Sequence, residues 1–279
     1  MSDLKLKWYY RVSDKSYPKP KLPGADKLAC FTSFAENIQP DWRDVLIIAD
    51  NASEETISLF SGLQVERTHL GNARSLRYAI EIALAESDAD TFVYFAEDDY
   101  LYRPGAKAAL IEGAGFSDYV TLYDHPDKYT LQYGMGETSQ VRRTPSSHWR
   151  YTLSTCMTFG VWADTLRCDM YHWKEHTEGD HPNDHQVFAD LNGAKRSLAV
   201  SIPGFACHTD LTYSGVVNKF LVDTWAVEQM MQKLDEKAAA IQDETFQTFR
   251  ANLTLPDDPW HRLQLLDAML KMGNKNGQG

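Results

Sequence analysis

Long apolar runs are missing from this chain. No segment approaches the roughly 20 consecutive apolar residues that a membrane-spanning helix needs. Met1 to Tyr10 alternates Leu and Lys where a secretory signal would be apolar, so a cytoplasmic protein without a transmembrane segment is expected. Paired cysteines are missing too: Cys30, Cys156, Cys168 and Cys207 lie far apart with no C-x-x-C. That excludes a zinc ribbon or a dithiol redox motif and leaves free thiols. There is no excess of positive charge, since 28 Lys and Arg face 39 Asp and Glu for a net charge of -11. A broad electrostatic footprint for nucleic acid or anionic membrane is thereby disfavoured, although a local basic groove is not. Repeats and low-complexity tracts are also lacking. The sequons at Asn51-Ala52-Ser53 and Asn252-Leu253-Thr254 carry no meaning without a secretory route.

What is present is a chain of 279 residues with 43% hydrophobic content, enough for one large core and a small appendage. Apolar runs bounded by turn residues predict buried strands at Trp8–Val12, Val45–Ala49, Phe92–Phe95, Tyr119–Leu122 and Leu198–Ile202. Helical spacing over 26–38, 54–60 and 73–85 separates the first three. Strands alternating with helices predict an α/β domain with a mainly parallel sheet over 1–215. From 216 to 272 the pattern turns to helices, predicting a helical appendage, and 273–279 reads as a disordered tail.

Ligands of such sheets bind beyond the carboxyl ends of the strands, and there the residues are polar. Ser13-Asp14 follows the first run, Asp50-Asn51 the second, Glu97-Asp98-Asp99 the third and Asp124-His125 the fourth. Three adjacent carboxylates repel one another. A hard divalent cation such as Mg²⁺ or Mn²⁺ would relieve that repulsion and share its oxygen ligands with a substrate's phosphates. Ordinary helix capping is the alternative source of strand-end acids.

The order of Val45-Leu46-Ile47-Ile48-Ala49-Asp50-Asn51-Ala52-Ser53, Gly71-Asn72-Ala73-Arg74 and Phe95-Ala96-Glu97-Asp98-Asp99 resembles the motifs of GT-A glycosyltransferases, family 2 in particular, over about residues 8–215. The resemblance implies a GT-A-like, Rossmann-like central sheet flanked by helices and a metal-dependent enzyme. Such an enzyme moves a hexosyl or pentosyl group from a nucleotide-sugar donor, a UDP-sugar by default, to an acceptor hydroxyl. It implies Asp50 at the nucleotide base with Ser13, Asn51 and Ser53 nearby. Gly71, Asn72 and Arg74 would open the helix beneath the nucleotide, Glu97 and Asp98 would lie beside ribose or sugar, and Asp99 would ligate Mn²⁺ or Mg²⁺. Glu97 stands where the family's D-x-D motif has its first Asp.

Inverting transfer needs a base for the acceptor's proton. The segment Gly179-Asp180-His181-Pro182-Asn183-Asp184 enters a helix and is similar to the family's acidic step before a helix, so Asp184 is the candidate base. His208, ending the apolar run before it, is implied as a late metal ligand. Leu211-Thr212-Tyr213-Ser214 would form a loop over the nucleotide. Asp124 and Trp149 are candidates for the acceptor side, because sugars offer both hydroxyl edges and apolar faces. The implied acceptor is a glycan or lipid-linked sugar, with a modified nucleic-acid base as a lesser alternative. The sequence leaves the oligomeric state open.

Three rival readings compete. His172-Trp173-Lys174-Glu175-His176 matches the H-x-x-E-H pattern of a zinc hydrolase. A nucleotidyltransferase would share the topology, but would show a Gly-rich basic loop after the first strand, where Ser13 to Gly24 has a single Gly. A non-catalytic sugar-binding module is the third.

Overall fold

The computed structural model describes residues 4–16, 20–22, 24–125, 128, 139–210, 231–233, 236 and 265. The elements in chain order are β1 (Leu6–Ser13), α1 (Lys27–Ile38), β2 (Val45–Asp50), α2 (Glu54–Ser58), β3 (Gln64–Thr68), α3 (Asn72–Glu86), β4 (Phe92–Glu97), β5 (Tyr100–Tyr102), α4 (Ala106–Ala114), β6 (Tyr119–Thr121), β7 (Arg142–Arg143), β8 (His148–Tyr151), β9 (Phe159–Trp162), α5 (Ala163–Glu175), α6 (Asp184–Gly193), β10 (Leu198–Ile202) and β11 (Ala206–His208). All five runs expected as strands are strands. The helical segment expected over 216–272 lies outside the described residues, apart from 231–233, 236 and 265, which are helical. The loop at 211–214 and the tail at 273–279 lie outside them as well.

Nine strands form one sheet in the order β3-β2-β1-β4-β9-β6-β10-β8-β7, and β5 pairs separately with β11. β3, β2, β1 and β4 are mutually parallel. β9 is inserted antiparallel between β4 and β6, and β8 runs antiparallel to β10. The mainly parallel central sheet flanked by helices is therefore present. The chain leaves β1 for β2 on one side and reaches β4 on the other, so a topological switch point, the usual crevice for ligands, lies beside β1.

Side-chain alternation divides the core. Trp8, Tyr10, Val12, Ile47 and Tyr94 face one layer with Phe34 of α1 and Leu110 of α4. Tyr9, Ile48, Val93 and Phe95 face the other with Leu76 and Ile80 of α3, Trp173 of α5 and Phe188 of α6. The period of two puts Arg11 on the same face as Tyr9, under the first turn of α3.

β9 packs tightly enough to require a glycine. A methyl at Gly160 would come within 2.5 Å of Phe92 and 3.2 Å of Leu110. Gly160→Ala is therefore expected to destabilise the fold by about 1–3 kcal/mol through overpacking, measured as a lower urea midpoint with an unchanged m-value.

Candidate active site

A cavity of about 250 Å³ opens at the carboxyl ends of β1, β2 and β4. It is lined by Ser13, Asp50, Asn51, Gly71, Asn72, Glu97, Asp98, Asp99, Asp184 and His208. Ten of the residues singled out in the sequence thus share one cavity. Four do not line it. Ser53 caps α2, its hydroxyl accepting from the Thr56 amide, and Arg74 is exposed on α3. Trp149 is 1% exposed in the core, edge-on to Phe116, with its indole N–H donated to Thr144. Asp124 is buried and paired with Arg150 at 2.8 Å.

The three consecutive acids diverge, and each meets a different side chain. Glu97 falls on the α3 face of β4, where its register partner on β1 is Arg11. The guanidinium reaches its Oε1 at 2.5 Å and also donates to the Asn72 carbonyl, to Asn72 Oδ1 and to Ser75 Oγ. Asp98 points to the opposite face. It accepts from Lys27 Nζ of α1 at 2.7 Å and from the Ser13 amide at 3.2 Å. Burial first, and the neighbouring Asp99 charge second, push the Asp98 carboxyl above its ordinary value against the pull of Lys27. The Lys27 ammonium, which burial would lower, is raised by Asp98 and Asp14.

Asp99 meets an imidazole. β11 pairs antiparallel with β5, aligning His208 with Tyr100, and the Asp99 carbonyl accepts the Thr209 amide at 2.8 Å. His208 Nε2 then lies 3.1 Å from Asp99 Oδ2. The ring stacks on Tyr100 with centroids 4.9 Å apart, so its orientation is fixed by packing. Two donor atoms on adjacent corners of an octahedral shell with bonds of ~2.1 Å would stand about 3 Å apart. A carboxylate oxygen beside an imidazole nitrogen suits Mn²⁺ better than Mg²⁺, which prefers oxygen alone. The pair therefore fits a divalent metal, with the remaining ligands to come from substrate or water.

Asp50 accepts four hydrogen bonds: the Leu70 amide at 2.6 Å, Thr68 Oγ1 at 2.9 Å, Asn51 Nδ2 at 2.9 Å and the Gly71 amide at 3.1 Å. These use the capacity of a carboxylate, so Asp50 shapes the cavity wall by fixing the turn from β3 to α3. Gly71 there has φ +83° and ψ 169°, a conformation essentially confined to glycine. Burial alone would raise the Asp50 carboxyl, but the donors hold it below its usual range. Asp14 is also lowered, by Ser53 and Thr56 acting against burial.

Asp184, at the first position of α6, faces the acids across the cavity. Its Oδ2 accepts the Cys156 amide at 2.7 Å and the Thr155 amide at 3.0 Å. Oδ1 makes no hydrogen bond among the described residues. Cys156 and Met157, also on the cavity wall, both have left-handed backbones, at φ +46° and +65°. Two successive non-glycine residues in that region are strained, and the turn they make aims the amides at Asp184.

Sequence reasoning missed Arg11 and Lys27. Arg11 was detectable, since an arginine inside an otherwise apolar, doubly buried strand demands a partner. Lys27 carries no such signal. The rival zinc-hydrolase pattern takes a different form in space: Glu175 and His176 gather with Asp190 of α6, and His172 does not belong to that group.

No protein-family model matches the chain, and no curated protein does. Among solved structures, the bifunctional IspDF of Campylobacter jejuni is 9% identical with a TM-score of 0.43, over 70% of this chain and 49% of its own. This chain thus spans about half the length of IspDF. A nucleotidyl transferase from Methanothermobacter thermautotroptrophicus is 13% identical with a TM-score of 0.45, over 71% and 87% of the two chains. GalNAc-T7, solved with UDP, GalNAc and Mn²⁺, is 9% identical with a TM-score of 0.47, over 74% and 44%. Among the described residues no helix is long and apolar enough to cross a membrane.

Two outcomes follow from the charge pairing. Arg11→Met removes the guanidinium from a largely buried Glu97 and is expected to cost about 3–5 kcal/mol, with part recovered in the double variant that adds Glu97→Gln, as read from chemical denaturation. Asp50, with its folded value lowered, contributes stability that is present above its unfolded value of about 3.9 and lost as pH falls through the lower folded value. Asp50→Asn should therefore be less stable at pH 7 and lose less on acidification to about pH 3, measured by urea melts at both pH values.

Proposed function

We propose that the chain is a metal-dependent glycosyltransferase of GT-A type that moves a sugar from a nucleotide-sugar donor to an acceptor hydroxyl with inversion. The observation that carries this reading is that Asp99 with His208, and Asp184 opposite them, line the same cavity at the carboxyl edge of the sheet. Asp99 and His208 would hold Mn²⁺ or Mg²⁺, which when bound offsets the charge of a departing diphosphate.

The remaining roles belong to the chain's own side chains. Asp50 fixes the wall on which the nucleotide rests. Arg11 and Lys27 neutralise Glu97 and Asp98, so the negative charge left to face the donor is that of Asp99, shared with His208. Asp184 Oδ1 takes the proton of the acceptor hydroxyl. The hydroxyl oxygen then bonds to the anomeric carbon as the bond from that carbon to the diphosphate oxygen breaks, and the electron pair leaves with the diphosphate. Oδ2 is already committed to two amides, so the reactive oxygen is held in one orientation. A UDP-sugar is the donor to test first, with a glycan or lipid-linked sugar as acceptor.

The second reading, a nucleotidyltransferase, is favoured by Lys15 on the cavity wall. It would release pyrophosphate from a nucleoside triphosphate.

In a thermal-shift panel of nucleotide sugars with and without Mn²⁺, one donor should raise the melting temperature in the wild type. Asp99→Asn should abolish the metal-dependent part of that shift while the unliganded protein stays folded. Full turnover by Asp99→Asn would sink the reading, and pyrophosphate release would select the second one. Asp184→Asn should keep donor affinity and lower the chemical rate by about 10²-fold or more. Loss of donor affinity with an intact rate would make Asp184 structural.

A further inference from the structure

The H-x-x-E-H segment at the end of α5 is left over by the proposed chemistry, and its donors converge on a residue from another helix. One ligand atom each from Glu175, His176 and Asp190 lie within 4.8 Å of one another. His176 Nε2 is 2.7 Å from Asp190 Oδ2, while Gln186 Nε2 steadies Asp190 Oδ1 at 2.8 Å. His172 lies one turn before His176, and its buried Nδ1 has no partner. The set therefore mixes nitrogen and oxygen donors, comes from two helices and includes one carboxylate whose position is already fixed.

We infer that Glu175, His176 and Asp190 form a second divalent-cation site, suited to Zn²⁺, that staples the end of α5 to α6. A tetrahedral shell with bonds of ~2.0–2.1 Å needs donors about 3.4 Å apart, within reach of small side-chain rotations of the exposed Glu175. Water completes the shell. One imidazole with two carboxylates favours Zn²⁺ over Mn²⁺ by the ordinary order of divalent affinities.

The site's position gives the staple a consequence. The His176 carbonyl accepts the amide of Asn183, the cap of α6, at 3.0 Å, and its imidazole holds Asp190 six residues into the same helix. A cation there would fix both ends of the segment that begins with Asp184. The inference stands independently of the transferase reading, because none of its ligands lines the active-site cavity.

The test uses the full chain carrying Asp99→Asn, which disables the other metal pair, with ZnCl₂ alone as the probe. One Zn²⁺ per chain is expected by calorimetry, with a rise in Tm of about 5 °C or more at a hundredfold excess over Kd. Adding His176→Ala should remove the shift. Adding Glu175→Gln, an exposed change that leaves packing untouched, should weaken Zn²⁺ binding by about 10-fold or more, at least the loss that even an outer-shell partner causes. Absence of a shift, or a shift that survives both additions, overturns the proposal.

Discussion

Three adjacent carboxylates at the end of a buried strand repel one another, and the fold is organised around giving each its own partner. At the effective dielectric near a protein surface, two like charges 4 Å apart repel by about 4 kcal/mol. The chain answers by sending the three side chains in different directions. Glu97 goes to Arg11 on the neighbouring strand, Asp98 to Lys27 on α1, and Asp99 to His208 on the β11 strand. Each pairing fastens another element to the end of β4. The register of β1, the seating of α1 and the course of β11 are thus tied to one tripeptide.

The same pairing sorts the acids by chemistry. Glu97 and Asp98 are held by cations that stay charged at neutral pH, and Asp50 has four donors from the protein itself. Asp99 faces the imidazole of His208 at 3.1 Å. Asp184 keeps one oxygen clear of hydrogen bonds among the described residues. Of the five carboxylates that line the cavity, Asp99 and Asp184 are thus the two to which the proposed chemistry is assigned. Strain at Cys156 and Met157 is the local cost of holding the second of them, about 1–3 kcal/mol for each left-handed residue by general experience.

How much of this could be read from the sequence depends on the range of the interaction. Apolar runs such as Phe92–Phe95 and the acids that follow them are local patterns, and they located the strands and the cavity rim correctly. The repulsion within Glu97-Asp98-Asp99 was legible, but its resolution was not. A metal was the natural inference for all three acids, whereas Arg11 and Lys27 neutralise two of them across separations of 86 and 71 residues. Strand β9 was invisible for a related reason: Phe159-Gly160-Val161-Trp162 is short and interrupted by glycine, and only packing against Phe92 explains it. Trp149 reads as a sugar platform by composition, yet the alternation of β8 turns it inward. Side-chain direction, which sequence gives only once the strand's register is known, decided that case.

The first turn of α3 is where these long-range ties meet. Asp50 grips the Gly71 amide, Arg11 grips the Asn72 carbonyl and side chain, and the Ala73 amide reaches the Asp180 carbonyl at 3.4 Å. Successive residues of one turn are therefore joined to β2, to β1 and to the loop that precedes Asp184. A helix N-terminus concentrates positive potential, and here the Asp50 carboxylate and the Asp180 carbonyl already meet its amides. The arrangement uses that helix end to hold the fold together and leaves Asp99 and Asp184 on the walls of the same cavity.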